Sequence, residues 1–153
     1  MSASQPAPKS VEPSPLVCPP FARVEPPASR PHRPPTLAQK VVAFARQQLG
    51  VPYTYGGSSR ATGFDCSGLV YAAYRSIGWT IPRSSWDQLR AGRPVRFAGL
   101  RPGDLVFTEG GGHVQLVVSA SAAISAPQTG ERVSYVPLAQ LRPEFAGARR
   151  LLR

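Results

Sequence analysis

The sequence predicts an α+β domain, with N-terminal helices packed on an antiparallel β-sheet and a proline-rich tail ahead of them. Three observations lead there. Apolar residues recur at helical spacing between Leu37 and Ile77, and short β-prone runs bounded by Gly, Pro and Ser clusters follow from Asp104 onward. The helical stretches come first and no βαβ alternation follows, so the strands pair with one another rather than through crossover helices. Well over half of the 18 prolines lie within residues 1–35, which separates tail from domain by composition alone.

Residues 1–35 contain few large apolar side chains (Leu16, Val17, Phe21, Val24) and cannot bury enough surface to offset their chain entropy. They are expected to form a disordered, polyproline-like tail or linker. The segment lacks the basic start, continuous apolar stretch and small-residue cleavage site of a secretory signal. A spacer, an address read by a delivery machine, and part of a longer chain all fit it. The domain is expected to span 36–153.

Its first helix opens at Thr36, a good N-cap, and runs to Leu49 before Gly50, with Leu37, Val41 and Phe44 on one face and Lys40 and Arg46 outside. A loop rich in turn formers covers Pro52 to Gly63. A second helix starts near Asp65 with the face Leu69, Ala73 and Ile77, flanked by Val70 and Tyr74, and Gly78 ends it. A short helical segment is expected over Ser84–Arg90. Strands are then expected over Asp104–Thr108, Val114–Val118, Ala122–Ala126 and Arg132–Val136, with Leu151 and Leu152 as a closing strand.

The formal charge is +10, from 18 Lys and Arg against 8 Asp and Glu. Such a chain is drawn to polyanions, among them nucleic acid, an anionic membrane or an anionic wall polymer, and a solvated basic surface without a dedicated partner fits equally. No basic stripe interleaved with aromatics supports a nucleic-acid motif. No apolar run reaches the roughly 18–20 residues of a membrane-spanning helix. Two cysteines, Cys18 and Cys66, exclude a disulfide-dense scaffold.

The chemistry concentrates in Gly63-Phe-Asp-Cys-Ser-Gly-Leu-Val70. A cysteine in the first turn of an amphipathic helix meets unpaired backbone N–H groups and the positive end of the helix dipole. These are expected to stabilise a thiolate and lower the thiol pKa, as a nucleophile requires. The competing reading of Cys66 is a small buried hydrophobe, against which stand the flanking glycines and polar neighbours Asp65 and Ser67. The domain holds one histidine, His113, delivered to a strand start by Gly110-Gly-Gly112, and a lone histidine also fits a structural role. One His and one Cys are too few for a typical zinc site, so no metal or other cofactor is expected.

The stretch from Ala43 to about Pro137 resembles the NlpC/P60 family of papain-like cysteine peptidases. Its motifs stand in the family's order: residues 45–57 (ARQQLGVPYTYGG), 64–70 (FDCSGLV), 81–85 (IPRSS), 100–107 (LRPGDLVF) and 112–114 (GHV). The resemblance implies a helix-plus-antiparallel-sheet core and peptidoglycan hydrolysis after the D-γ-glutamyl residue of the stem peptide. It makes Cys66 the nucleophile and His113 the general base. Tyr53 resembles the family tyrosine near the oxyanion and substrate-amine region, and Asp65 and Ser67 resemble residues lining the substrate groove. Arg83 matches the family arginine, with a structural ion pair or carbonyl contact competing with substrate binding. Asp104 is read as a turn determinant; Trp79 and Trp86 are read as packing residues, with Trp86 also placed to wall the groove.

The chain departs from the family at the third catalytic position. There the family carries a polar residue, usually His, Asn, Gln or Glu, and here the match falls on Ser125. A serine orients an imidazole less firmly than a carboxylate and stabilises its protonated form less. Gln128 or a water is the alternative orienting group. The expected substrate is the peptidoglycan stem peptide, acted on at the cell wall. With no export signal read, delivery by a phage particle or a specialised secretion apparatus carrying the tail is one route, and membership of a longer exported chain is another. An amidase or acyltransferase using the same Cys–His pair, or a wall-binding module with little turnover, are the alternatives.

Overall fold

The computed structural model describes residues 33–152, so that all but the last three residues of the predicted tail, Cys18 and His32 among them, lie outside it. Helix α1 (Leu37–Gln47) begins as the sequence predicts. The Thr36 hydroxyl accepts the Gln39 N–H at 3.2 Å and the Gln39 side chain accepts the Thr36 N–H at 2.8 Å. This reciprocal cap satisfies two donors the helix itself leaves open. The buried face is Val41, Val42 and Ala45, packed on the second helix and the sheet. The seam is therefore turned slightly from the expected Leu37–Val41–Phe44 row, with Leu37 exposed and Phe44 half-buried.

The loop after α1 contains a two-stranded ribbon the sequence does not announce, β1 (Ser58–Ser59) with β2 (Gly63–Phe64). Helix α2 (Cys66–Arg75) follows at once. It buries Leu69, Val70, Ala73 and Tyr74 completely or nearly so, as the expected apolar face requires. Helix α3 (Ser85–Gln88) is a single turn capped by the Ser84 hydroxyl, which accepts the Asp87 N–H at 3.2 Å.

The main sheet has six antiparallel strands in the order β3 (Arg93–Pro94), β8 (Gly147–Arg150), β4 (Leu105–Thr108), β5 (His113–Val117), β6 (Ala122–Ser125) and β7 (Ser134–Pro137). The domain is thus α+β, with α1 and α2 against one face. On β4, Leu105 and Phe107 join Leu69, Tyr74 and Ile124 on the helix side. Val106 joins Val117, Ala148, Leu138 and Leu141 on the other, where α4 (Leu138–Leu141) supplies cover. Alternation with a period of two, covered on both faces, explains why all four residues of β4 are buried.

Two strand expectations shift. The closing strand is Gly147–Arg150, not Leu151–Leu152. Its arginines disguise it, because Arg150 is tied down by Asp104 through bonds of 2.8 and 2.7 Å and by the Gly99 carbonyl at 2.9 Å, while Leu152 fills the core beyond the strand end. The Arg132–Val136 run enters the sheet only from Ser134. Residues 131–133 pair instead with the loop after α1: Tyr53 N–H donates to Glu131 O, Gly50 N–H to Val133 O and Val133 N–H to Val51 O. That pairing carries Tyr53 toward the N-terminus of α2.

Candidate active site

Asp65 caps α2. Its Oδ1 accepts the Gly68 N–H at 2.6 Å, which leaves the first-turn amides of Cys66 and Ser67 directed at the Cys66 sulfur. The sulfur also meets the backbone N–H of Val114, one residue past His113 at the start of β5. Helix α2 and strand β5 therefore bring the two chemistry-bearing residues of the domain to one place. The His113 Nε2 lies 2.9 Å from Ser125 Oγ on β6, the adjacent strand, and Ser125 is only 1% exposed. With Nε2 engaged there, Nδ1 is the nitrogen left to accept a proton. Gln128, the other orienting group considered, turns away to Glu131 at 3.2 Å.

The electrostatics differ from expectation in one respect. Burial pushes the Cys66 thiol up, more than the N–H groups of Val114, Ser67 and Cys66 itself pull it down, and the Asp65 carboxylate adds to the rise. The expected lowering by the helix N-terminus is outweighed by desolvation. Burial also holds His113 below the usual histidine value, with Glu109 opposing. Both shifts favour the uncharged forms, a thiol at Cys66 and a neutral imidazole at His113. Tyr53 is likewise raised, by burial and by Cys66 and Asp65, so its hydroxyl remains a donor through neutral pH.

A cleft of about 500 Å³ opens over Cys66, lined by Tyr53, Asp65, Ser67, Arg83, Trp86 and Gly112 among others. One wall is a closed ionic network. Arg83 meets Asp65 through Nη1 to Oδ1 at 3.0 Å and Nη2 to Oδ2 at 3.1 Å, and donates further to Ser67 Oγ at 2.9 Å and Gly57 O at 3.1 Å. Asp65 Oδ2 also accepts the Gly56 N–H at 3.0 Å. Both carboxylate oxygens are committed within the protein, so Arg83 holds the structural ion pair anticipated beside its substrate role. A Cβ at Gly68 would lie 2.7 Å from Asp65 Oδ1 and 2.9 Å from Arg83 Nη2, so only glycine lets α2 approach this network.

The opposite rim is aromatic. Trp86 is 58% exposed and its ring carbons lie 3.2–3.3 Å from where side chains at Gly111 and Gly112 would begin, so the glycine turn seats the indole against the cleft. Trp86 walls the groove, and Trp79 packs near Tyr74. Tyr55, 89% exposed, is a further lining residue that sequence reasoning passes over, and Gln88, which does not line the cleft, is a supporting residue it also passes over. Gln88 is fully buried and its Nε2 donates to Ser67 O at 3.2 Å and Pro82 O at 2.9 Å, fastening α3 to the first turn of α2. A single glutamine inside a short helical run gives no signal of this. Asp104 lies away from the cleft, holding the Arg101 N–H at 2.8 Å and Arg150.

Among known proteins, the chain is 41% identical over 116 residues to murein DD-endopeptidase MepH of Escherichia coli, covering 69% of this chain and 43% of that protein. It is 36% identical over 109 residues to the gamma-D-glutamyl-L-lysine dipeptidyl-peptidase of Bacillus subtilis, covering 67% of this chain and 36% of the relative. The chain thus spans less than half the length of these relatives. The crystal structure of a Bacillus cereus NlpC/P60 family protein matches with a TM-score of 0.72 at 37% identity, over 78% of this chain and 42% of the other. The P60 domain of a Mycobacterium avium subspecies paratuberculosis antigen matches at 0.69 and 32% identity, over 76% of this chain and 96% of that domain. The NlpC/P60 family pattern itself matches residues 50–149, which include Cys66, His113 and Ser125 together with the sheet that carries the last two. The chain belongs to the NlpC/P60 family.

Proposed function

We propose that this chain is a peptidoglycan endopeptidase that cleaves stem peptides after the D-γ-glutamyl residue through a Cys66–His113 pair oriented by Ser125. The observation that carries this reading is the meeting of α2, β5 and β6 beside the cleft that Cys66 lines. Cys66 at the N-terminus of α2 meets the start of β5, and His113 there is held at Nε2 by a buried hydroxyl from β6. The names of the relatives, a murein endopeptidase and a γ-D-glutamyl peptidase among them, support the substrate class.

In the proposed reaction, His113 Nδ1 takes the thiol proton as Cys66 Sγ attacks the scissile carbonyl carbon. Backbone N–H groups at the start of α2 face the oxygen on which charge develops, and the Tyr53 hydroxyl is placed as a further donor. The imidazolium then gives its proton to the leaving amine, and water cleaves the resulting thioester with His113 again as base. Ser67 and the Asp65–Arg83 pair form the wall against which the peptide lies. Residues 1–35 are proposed as a tether to a carrier, a phage particle or a secretion apparatus, that brings the domain to the wall.

Digestion of defined muropeptides followed by mass analysis tests the reaction. The expected product carries a new C-terminal D-glutamyl residue released from the next amino acid of the stem. Products cut only between sugar and peptide, or transferred acyl groups, would instead assign amidase or acyltransferase chemistry to the same pair. Retention on the wall without any product would make the domain a binding module.

A further inference from the structure

Glu109 opens the turn between β4 and β5, in the sequence Glu109-Gly-Gly-Gly-His113. Its φ of 54° makes it the one non-glycine residue in the left-handed region among the described residues. That conformation is disfavoured for a residue that carries a Cβ. Glycine occupies the next three positions and would relieve the cost at 109 as well. Strain retained beside a reacting group points to a use for the side chain.

The turn sets Glu109, itself exposed, at the end of the strand pair that carries the candidate base. Thr108 and His113 are the last paired residues of the β4–β5 ladder, and the Gly112 N–H donates to the Glu109 carbonyl at 3.1 Å. The elements packed near His113 otherwise present mainly uncharged or paired groups. Strand β6 presents the Ser125 hydroxyl, β4 presents Thr108, and α3 lays the Trp86 indole on Gly111 and Gly112. Helix α2 presents Cys66, a neutral thiol at rest, while Asp65 is neutralised by Arg83 and the Asp87 carboxylate is bonded to the Ser84 hydroxyl. Among the described residues Glu109 has no ion-pair partner of its own. Its charge opposes the loss of protonation that burial imposes on His113.

We propose that Glu109 is a positioning residue for the base, its carboxylate holding the imidazolium of His113 through space and replacing the charge that Ser125 lacks. This rests on His113 being the general base of the proposed reaction. The full chain, with His32 replaced by alanine so that one histidine titrates, is followed by NMR across pH for wild type, Glu109→Gln, Glu109→Asp and Glu109→Gly. Across a gap bridged partly by solvent, one charge shifts a titration by about 0.3–0.5 pH unit, roughly a two- to threefold change in proton affinity. Glu109→Gln and Glu109→Gly are expected to lower the His113 midpoint by that amount, Glu109→Asp to retain it, and the differences to shrink in 1 M salt. The acid limb of kcat/KM should move with the midpoint. An unchanged midpoint in Glu109→Gln, or one restored in Glu109→Gly, overturns the role of Glu109 even if hydrolysis is normal. A midpoint that moves as expected in a protein with no hydrolytic activity keeps the Glu109 role and overturns the peptidase reading instead.

Discussion

Ser125 holds His113 from a position that is 1% exposed, and this decides what can replace it. Ser125→Ala removes the hydroxyl without creating a large void and should lower turnover of a defined stem peptide roughly tenfold or more, part of the ~10²–10⁴ that a positioned base supplies. Substrate binding should be little changed, so the loss should appear in kcat rather than KM. Larger residues common at this place in the family would overpack a closed site, at a cost of about 1–3 kcal/mol, and should not raise the rate. Equal rates for wild type and Ser125→Ala would mean that another group orients the imidazole. The resting charge state gives a second prediction. In the proposed reaction neutral His113 accepts the thiol proton, and its value is lowered while that of Cys66 is raised. Activity should therefore climb through a midpoint below 6.5 and hold to above 9. A rate that falls already below pH 9 would instead point to a thiolate–imidazolium pair, whose activity ends as the imidazolium loses its proton. The same shift affects folding: below 6.5 the unfolded chain binds a proton that folded His113 refuses, so this group's contribution to stability falls as pH drops.

At the scale of elements, the β4–β8 pairing depends on the ion pair between Asp104, 2% exposed, and Arg150, 16% exposed. Arg150→Ala would leave a buried carboxylate without its bidentate partner. It should cost about 3–5 kcal/mol, read as a lower urea midpoint with the cleft chemistry otherwise intact. A loss below 1 kcal/mol would show that water replaces the guanidinium. The same pair explains why β8 is hard to read from sequence. Arg149 and Arg150 look like a solvated terminus, and only the partner 46 residues away turns the second into an interior residue. The start of α2 is legible because its signals are local: a capping aspartate, a cysteine, two small residues and then an apolar row. Ribbon β1–β2 and the junction of residues 131–133 with the Tyr53 loop are not, because both are held by backbone pairing, which no side-chain pattern marks. Within the candidate site, Cys66, His113 and Ser125 are singled out from sequence through their turns and the family resemblance. Gln88 and Tyr55 escape because their roles come from where α3 and the loop land.

Over the whole molecule the charge is +10, most arginines among the described residues are exposed, and under the proposed function this charge draws the domain to an anionic wall. Exposed charges are screened within about 8 Å at physiological ionic strength. Binding of a Cys66→Ala variant to purified wall should therefore weaken as salt rises from low to high, and binding independent of salt would assign it to the cleft instead. The reaction proposed for the cleft can be read out directly. Wild type, Cys66→Ala, His113→Ala and Cys18→Ser are incubated with purified peptidoglycan, the soluble peptides are identified by mass, and folding is checked by circular dichroism. Peptides ending in D-glutamate are expected from wild type and Cys18→Ser, and none from folded Cys66→Ala or His113→Ala. The same peptides released at an undiminished rate by Cys66→Ala would contradict the proposed reaction.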